Sequence, residues 1–263
     1  MTDSLIFPAP PRPKTTERFP PMKKDWHPQE FKKLVTLGES TTAGGWASCR
    51  ERCWASRLAA LIDEFQRVPV ELINCGIGAN VISTRSPSYE RSGRPAADER
   101  LDRDVIAHEP DLLVISYGLN DARGGTTLDL FDELVTGLIG RVRKSIQPLI
   151  LLPGPYYMND FTVGEAQWSN ADLETFYQFN ERTREIADRL ECLYVDLLSA
   201  YGDADWLVHD DGVHANDLGH RIVANRMFEV LASNCSGLAR ETKHLEQHIP
   251  PWRDESTLKA PPA

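Results

Sequence analysis

Leu112-Leu113-Val114-Ile115-Ser116-Tyr117, followed at once by Gly118-Leu119-Asn120-Asp121, is the stretch on which the rest of the chain depends. The run carries no charge, starts after Pro110-Asp111 and stops at a glycine. A short, continuous apolar run between turn residues fits a strand buried on both faces, the kind found in parallel sheets covered by helices. Its end delivers polar residues, so the carboxyl edge of the sheet is where chemistry is expected.

Similar strands read outward from it. Upstream lie Leu34-Val35-Thr36-Leu37, ending in Gly38, and Val70-Glu71-Leu72-Ile73-Asn74. Downstream lie Leu149-Ile150-Leu151-Leu152, stopped by Pro153-Gly154-Pro155, and Leu193-Tyr194-Val195-Asp196-Leu197. Helical spacing fills the gaps: Leu58, Leu61, Ile62 and Phe65 after Trp54; a helix near 97–107; Leu128, Phe131, Val135, Leu138, Ile139 and Val142; and a helix around 171–190. Asn216 or Asp217 is placed to cap a last helix carrying Ile222, Val223, Met227, Val230 and Leu231. Strands alternating with helices predict a single α/β domain with a central parallel sheet and helices on both faces. Its expected span is 31–235. Residues 1–30 hold seven of the 18 prolines and read as an extended arm, and 236–263 read as a polar tail on the surface.

Bulk properties narrow the function. The 263 residues carry a formal net charge of -10, with 41% apolar and 26% charged residues, ordinary values for a globular chain. Nucleic acid is not an expected partner, because no cluster of Lys and Arg is present to neutralise phosphates. No run approaches the ~20 apolar residues of a membrane span. The start, Met1-Thr2-Asp3-Ser4, lacks the basic-then-apolar pattern of a secretory signal. Five scattered cysteines, an odd number, suit reduced thiols, so a cytoplasmic location is the expectation. The oligomeric state is left open.

Four polar segments fall at strand ends or just before the last helix: Gly38-Glu39-Ser40-Thr41, Asn74-Cys75-Gly76-Ile77-Gly78-Ala79-Asn80, Gly118-Leu119-Asn120-Asp121 and Asp210-Asp211-Gly212-Val213-His214. In open parallel sheets ligands bind beyond the carboxyl ends of the strands, so all four are expected to meet. A serine hydroxyl is a weak nucleophile and needs a base within hydrogen-bond reach. Histidine is the natural one near neutral pH, with a carboxylate to fix its tautomer. Ser40, His214 and Asp211 meet these needs; Asp211 stands three residues before His214, with Gly212 easing the path between them. The N–H groups of Ser40 and of the Gly78-Ala79 turn, with the side-chain amide of Asn120, can serve as oxyanion donors.

These four segments resemble the blocks of the SGNH (GDSL-type) hydrolase superfamily, in the family's order, over roughly residues 34–232. Ser40 matches the serine of the first block, Asn120 the asparagine of the Gly-x-Asn-Asp block, and Asp211 with His214 the Asp-x-x-His block. The resemblance implies a flavodoxin-like three-layer α/β/α sandwich and hydrolysis of a small-molecule ester or thioester, with no cofactor. Some members of the family transfer the acyl group to another acceptor. Two departures stand out. Glu39 occupies the usual place of an aspartate, a change expected to be structural. The oxyanion glycine of the second block aligns with Ala79, next to Gly78, and either N–H can supply the donor.

Blander readings remain beside these. Ser40 alone is a capping hydroxyl, and Asn120-Asp121 alone an Asx-type turn, with Asp121 bracing the loop. His209, Asp210, Asp211, His214 and His220 cluster, but their spacing matches neither a helical two-His pair nor a zinc pattern, so no metal is expected. Cys49 and Cys53 read as ordinary thiols. Trp54 reads as core. Tyr156, Tyr157, Phe161 and Trp168 read either as a substrate platform or as a loop seal. Arg85, Arg91, Arg94 and Arg123 offer an anion contact or merely solvated charge. Beside the ester hydrolase stand two alternatives, an acyltransferase using the same triad and a flavodoxin-like binding module without turnover.

Overall fold

The computed structural model describes residues 23–253 and residue 255. The arm read over 1–30 therefore lies outside the described residues as far as residue 22, as does most of the chain beyond 253. Five parallel strands form the sheet: β1 Lys33–Gly38, β2 Glu71–Gly76, β3 Leu112–Ser116, β4 Leu149–Pro153 and β5 Leu193–Val195, in the order β2-β1-β3-β4-β5. The helices are α1 Ser40–Ala43, α2 Trp54–Asp63, α3 Ala97–Asp104, α4 Leu119–Arg123, α5 Leu128–Ser145, α6 Leu173–Arg189, α7 Leu197–Tyr201, α8 Asp217–Asn234 and α9 Arg240–His248.

The order explains the layers. The chain leaves β1 in one direction to reach β2 and then crosses back to β3, β4 and β5 on the other side. With right-handed crossovers, reversing direction moves the connecting helices to the opposite face. Accordingly α2 packs with α8, while α5 packs with α3 and α6. β3 and β4 are buried throughout and β2, an edge strand, is partly exposed. Trp54, Leu58 and Ile62 are fully buried along α2, as the helical spacing predicts. The sequence expectation of an α/β domain with helices on both faces of a parallel sheet is met. In such sheets the crevice lies where the winding direction reverses, here between the carboxyl ends of β1 and β3.

Two elements differ from expectation. β5 ends at Val195, not Leu197, because the Asp196 side chain accepts the Ser199 N–H at 3.0 Å and caps α7. The segment read as a polar tail from 236 contains a 3₁₀ turn, Ser236–Ala239, and α9. That turn is fixed by residues 23–30: Asp25 accepts the Ser236 N–H at 3.0 Å, and the Gly237 N–H donates to the His27 carbonyl at 3.0 Å. No described helix is long and apolar enough to cross a membrane.

Candidate active site

β1 hands over to α1 at Glu39, whose carbonyl accepts the N–H groups of Thr42 and Ala43, so Ser40 is the first residue of the helix and its own N–H stays free. Close packing of the strand ends makes this turn possible. A Cβ on Gly76, at the end of β2, would lie 2.0 Å from the Ala43 backbone nitrogen. His214 and Asp211 come from the loop before α8. The His209 N–H donates to the His214 carbonyl at 2.7 Å, and Gly212 turns the chain with φ 75°. Asn216, one of the two expected caps, accepts the N–H groups of Leu218 and Gly219 and starts α8.

The three side chains meet in one chain of contacts. Ser40 Oγ lies 2.7 Å from His214 Nε2, and His214 Nδ1 lies 2.5 Å from Asp211 Oδ2. The other Asp211 oxygen accepts the N–H groups of Val213 at 3.2 Å and His214 at 3.0 Å. Burial pushes the Asp211 carboxyl up, but those N–H groups and the imidazole together hold it below its ordinary range. Burial lowers His214 below the ordinary histidine value, against the opposing pull of Asp211. At neutral pH the ring is therefore mostly neutral, with Nδ1–H facing Asp211 and Nε2 free to accept the serine proton.

The oxyanion candidates face the same space. Asn120 Nδ2 donates one hydrogen to the Asn80 carbonyl at 3.1 Å, which leaves its second N–H for a ligand. The N–H groups of Ser40, Gly78 and Ala79 are not taken up by another described residue. Ala79 sits at φ 53°, in the left-handed region that favours glycine. Ser40, Gly78, Ala79, Asn120, Asp211 and His214 all line one cavity of about 510 Å³. Among the described residues no group of three or more His, Cys, Asp or Glu side chains is arranged to hold a metal ion. His220 instead is fully buried, with Nδ1 accepting the Trp54 N–H at 3.3 Å and Nε2 against the Gly45 carbonyl at 3.1 Å.

Buried polar groups brace this edge. The Glu39 carboxylate accepts the Asn120 N–H at 3.0 Å and so ties the β3 loop to the serine turn. Burial, reinforced by Asp121, pushes its carboxyl well above the ordinary range. Asp121 accepts the Ser86 hydroxyl at 2.9 Å and the Ile82 N–H at 3.3 Å, and burial pushes it to about 7. Arg100, from α3, carries no motif, yet its guanidinium donates to the carbonyls of Gly38 and Cys75, to Asn80 Oδ1 and to the Tyr117 hydroxyl. One side chain thus pins the ends of three strands. Its only sequence signal was its position on the buried face of a helix, beside Leu101.

The aromatic residues divide. Tyr156 is buried and Phe161 packs edge-on against Phe176, so both seal the loop. Trp168 lines the cavity with Val163 and Gly164. Trp46, half-exposed and itself at φ 63°, stacks flat on the His214 ring with centroids 3.8 Å apart. Nothing local in the sequence marked it for that place.

The profile of the GDSL-like Lipase/Acylhydrolase family matches residues 36–222. The chain belongs to this family, and it is a carboxylic ester hydrolase. It is 21% identical to an acetylxylan esterase from Geobacillus stearothermophilus over 216 residues, covering 73% of this chain and 90% of that one. It is 22% identical to the uncharacterized lipoprotein YqeF of Bacillus subtilis, covering 73% and 86%. The crystal structure of Axe2, an acetylxylan esterase from G. stearothermophilus, superposes with a TM-score of 0.59 at 20% identity, covering 78% of this chain and 95% of that one.

Proposed function

We propose that this hydrolase cleaves short-chain esters, O-acetyl groups on carbohydrate among them, through an acyl-enzyme on Ser40. The observation that carries the reading is the contact of Ser40 Oγ with His214 Nε2 at 2.7 Å, continued to Asp211 at 2.5 Å. The acetylxylan esterase relative and the tryptophans at the cavity wall support the carbohydrate side of it. Five unpaired cysteines support a reducing, cytoplasmic setting.

The proposed steps use these contacts. His214 Nε2 takes the Ser40 proton as Oγ bonds to the ester carbonyl carbon, and Asp211 stabilises the imidazolium. The carbonyl oxygen becomes an oxyanion held by the N–H groups of Ser40 and of Gly78 or Ala79, and by Asn120 Nδ2. His214 then gives its proton to the alcohol oxygen, the C–O bond breaks, and the acyl group stays on Ser40. Water repeats the sequence: His214 takes its proton, the hydroxide adds, and Ser40 leaves with the proton returned.

Two expectations arise here. His214 must be neutral to act, so kcat/KM for 4-nitrophenyl acetate is expected to fall as pH drops through a pKa below ~6.5, the unperturbed value. Trp46 shields the ring from water, so Trp46→Ala is expected to move that acid limb upward, as a pH–rate profile checks. Ala79→Gly keeps the backbone N–H and relieves a left-handed φ that costs an L-residue about 1 kcal/mol. The freer unfolded chain offsets about as much. Melting midpoint and turnover are therefore expected near wild type.

The direct test is turnover of 4-nitrophenyl esters of increasing chain length in the presence of EDTA, with and without an added alcohol. Release of free acid from the short esters supports the proposal. Transfer of the acyl group to the alcohol in preference to water would replace it with an acyltransferase, and no turnover of any ester would refute it.

A further inference from the structure

Three of the four arginines near the loops that border the site are already engaged. Arg85 is paired with Glu133 at 2.6 Å, Arg94 with Glu90 at 2.7 Å, and Arg91 with Gln167 at 2.9 Å. All three side chains are largely exposed. Arg123 is different. It ends α4, three residues after Asn120, is only 7% exposed, and lines the cavity that Ser40 and His214 line.

Its donors are mostly unused. Nη2 donates to the Val163 carbonyl; Nε is buried without a partner, and Nη1 bonds to no described residue. No carboxylate of the described residues lies within 4.0 Å of it. The carboxyl groups facing it are Glu39 from the serine turn, Asp211 from the loop before α8 and Asp160 from the loop after β4. Each has other work. Glu39 holds the Asn120 N–H, Asp211 faces His214, and Asp160 accepts the Thr162 N–H and hydroxyl. A buried guanidinium without a carboxylate in direct contact leaves charged donors unsatisfied, and such groups are normally paired. Here the open side of the group borders the catalytic cavity.

We infer that Arg123 is an anion-binding subsite of the catalytic cavity, and that the preferred ester bears a carboxylate a few bonds from the scissile carbonyl. The planar fork of arginine matches a carboxylate. With Asp211 and Asp160 close by, a singly charged carboxylate meets less repulsion than a dianionic phosphate. The inference rests on hydrolysis at Ser40, and it names the class of ester that this site takes.

The test uses two matched pairs, because the carboxylate can sit on either side of the ester. The acyl arm compares the 4-nitrophenyl half-ester of glutaric acid with 4-nitrophenyl pentanoate. The alcohol arm compares 4-acetoxybenzoate with its methyl ester. In one arm the anionic ester is expected to have the higher kcat/KM, mainly through KM. Arg123→Met is expected to lower that anionic-to-neutral ratio ~10- to 100-fold, as for loss of a hydrogen bond to a charged group. Arg123→Lys should recover part of it. A ratio that is the same in wild type and Arg123→Met in both arms overturns the subsite and leaves the hydrolase reading intact. Binding gives a readout independent of turnover and of the Arg123 variants. In Ser40→Ala protein, monomethyl glutarate should quench the cavity tryptophans at lower concentration than dimethyl glutarate, and equal affinities overturn the subsite. If no ester is turned over, the reading of Ser40 fails by itself, and this titration still decides the role of Arg123.

Discussion

Ser40→Ala is expected to lower kcat for 4-nitrophenyl acetate by roughly four to six orders of magnitude, because a nucleophile has no substitute within the triad. Its neighbours keep their places without the hydroxyl. Asp211 still holds the ring at 2.5 Å, Trp46 still stacks on it, and Glu39 still caps α1. The melting midpoint should therefore stay within a few degrees of wild type, as thermal unfolding beside the kinetics checks. Hydrolysis at the wild-type rate would remove Ser40 from the mechanism.

Asn120→Ala is expected to lower kcat by ~100- to 1000-fold with a smaller change in KM, the signature of a donor used mainly in the transition state. The amide has a second task, donating to the Asn80 carbonyl at 3.1 Å, so some stability is lost as well, on the order of 1 kcal/mol. The two effects separate cleanly. Loss of the structural bond appears in the melting curve, and loss of the oxyanion bond appears in kcat at temperatures where the variant is fully folded. A variant with normal kcat would leave the oxyanion to backbone N–H groups alone.

Much of this site could be read in the chain. Apolar runs at Leu34–Leu37 and Leu112–Tyr117 identified buried strands because no charge interrupts them, and the segments after them carry Ser40 and Asn120. The Asp211–His214 spacing is local, so one turn of loop settles it, and the Asn216 cap is equally local. What stayed hidden depends on distant partners. Trp46 is one of six tryptophans until the fold lays it on a ring 168 positions away. Arg123 resembles Arg85 and Arg94 until burial and pairing distinguish them. Arg100 shows its purpose only once three strand ends converge on it. The helix at Arg240–His248 is not legible for a related reason: its sequence is polar, and the turn leading into it is held by residues some 210 positions earlier.

Labelling with a fluorophosphonate, followed by digestion and mass spectrometry of the modified peptide, tests the proposed chemistry most directly. A hydroxyl activated by an adjacent imidazole should yield one stoichiometric phosphonyl adduct on Ser40, formed far more slowly in His214→Ala protein. An unlabelled Ser40, or an adduct on a different side chain that accounts for the lost activity, would contradict the account.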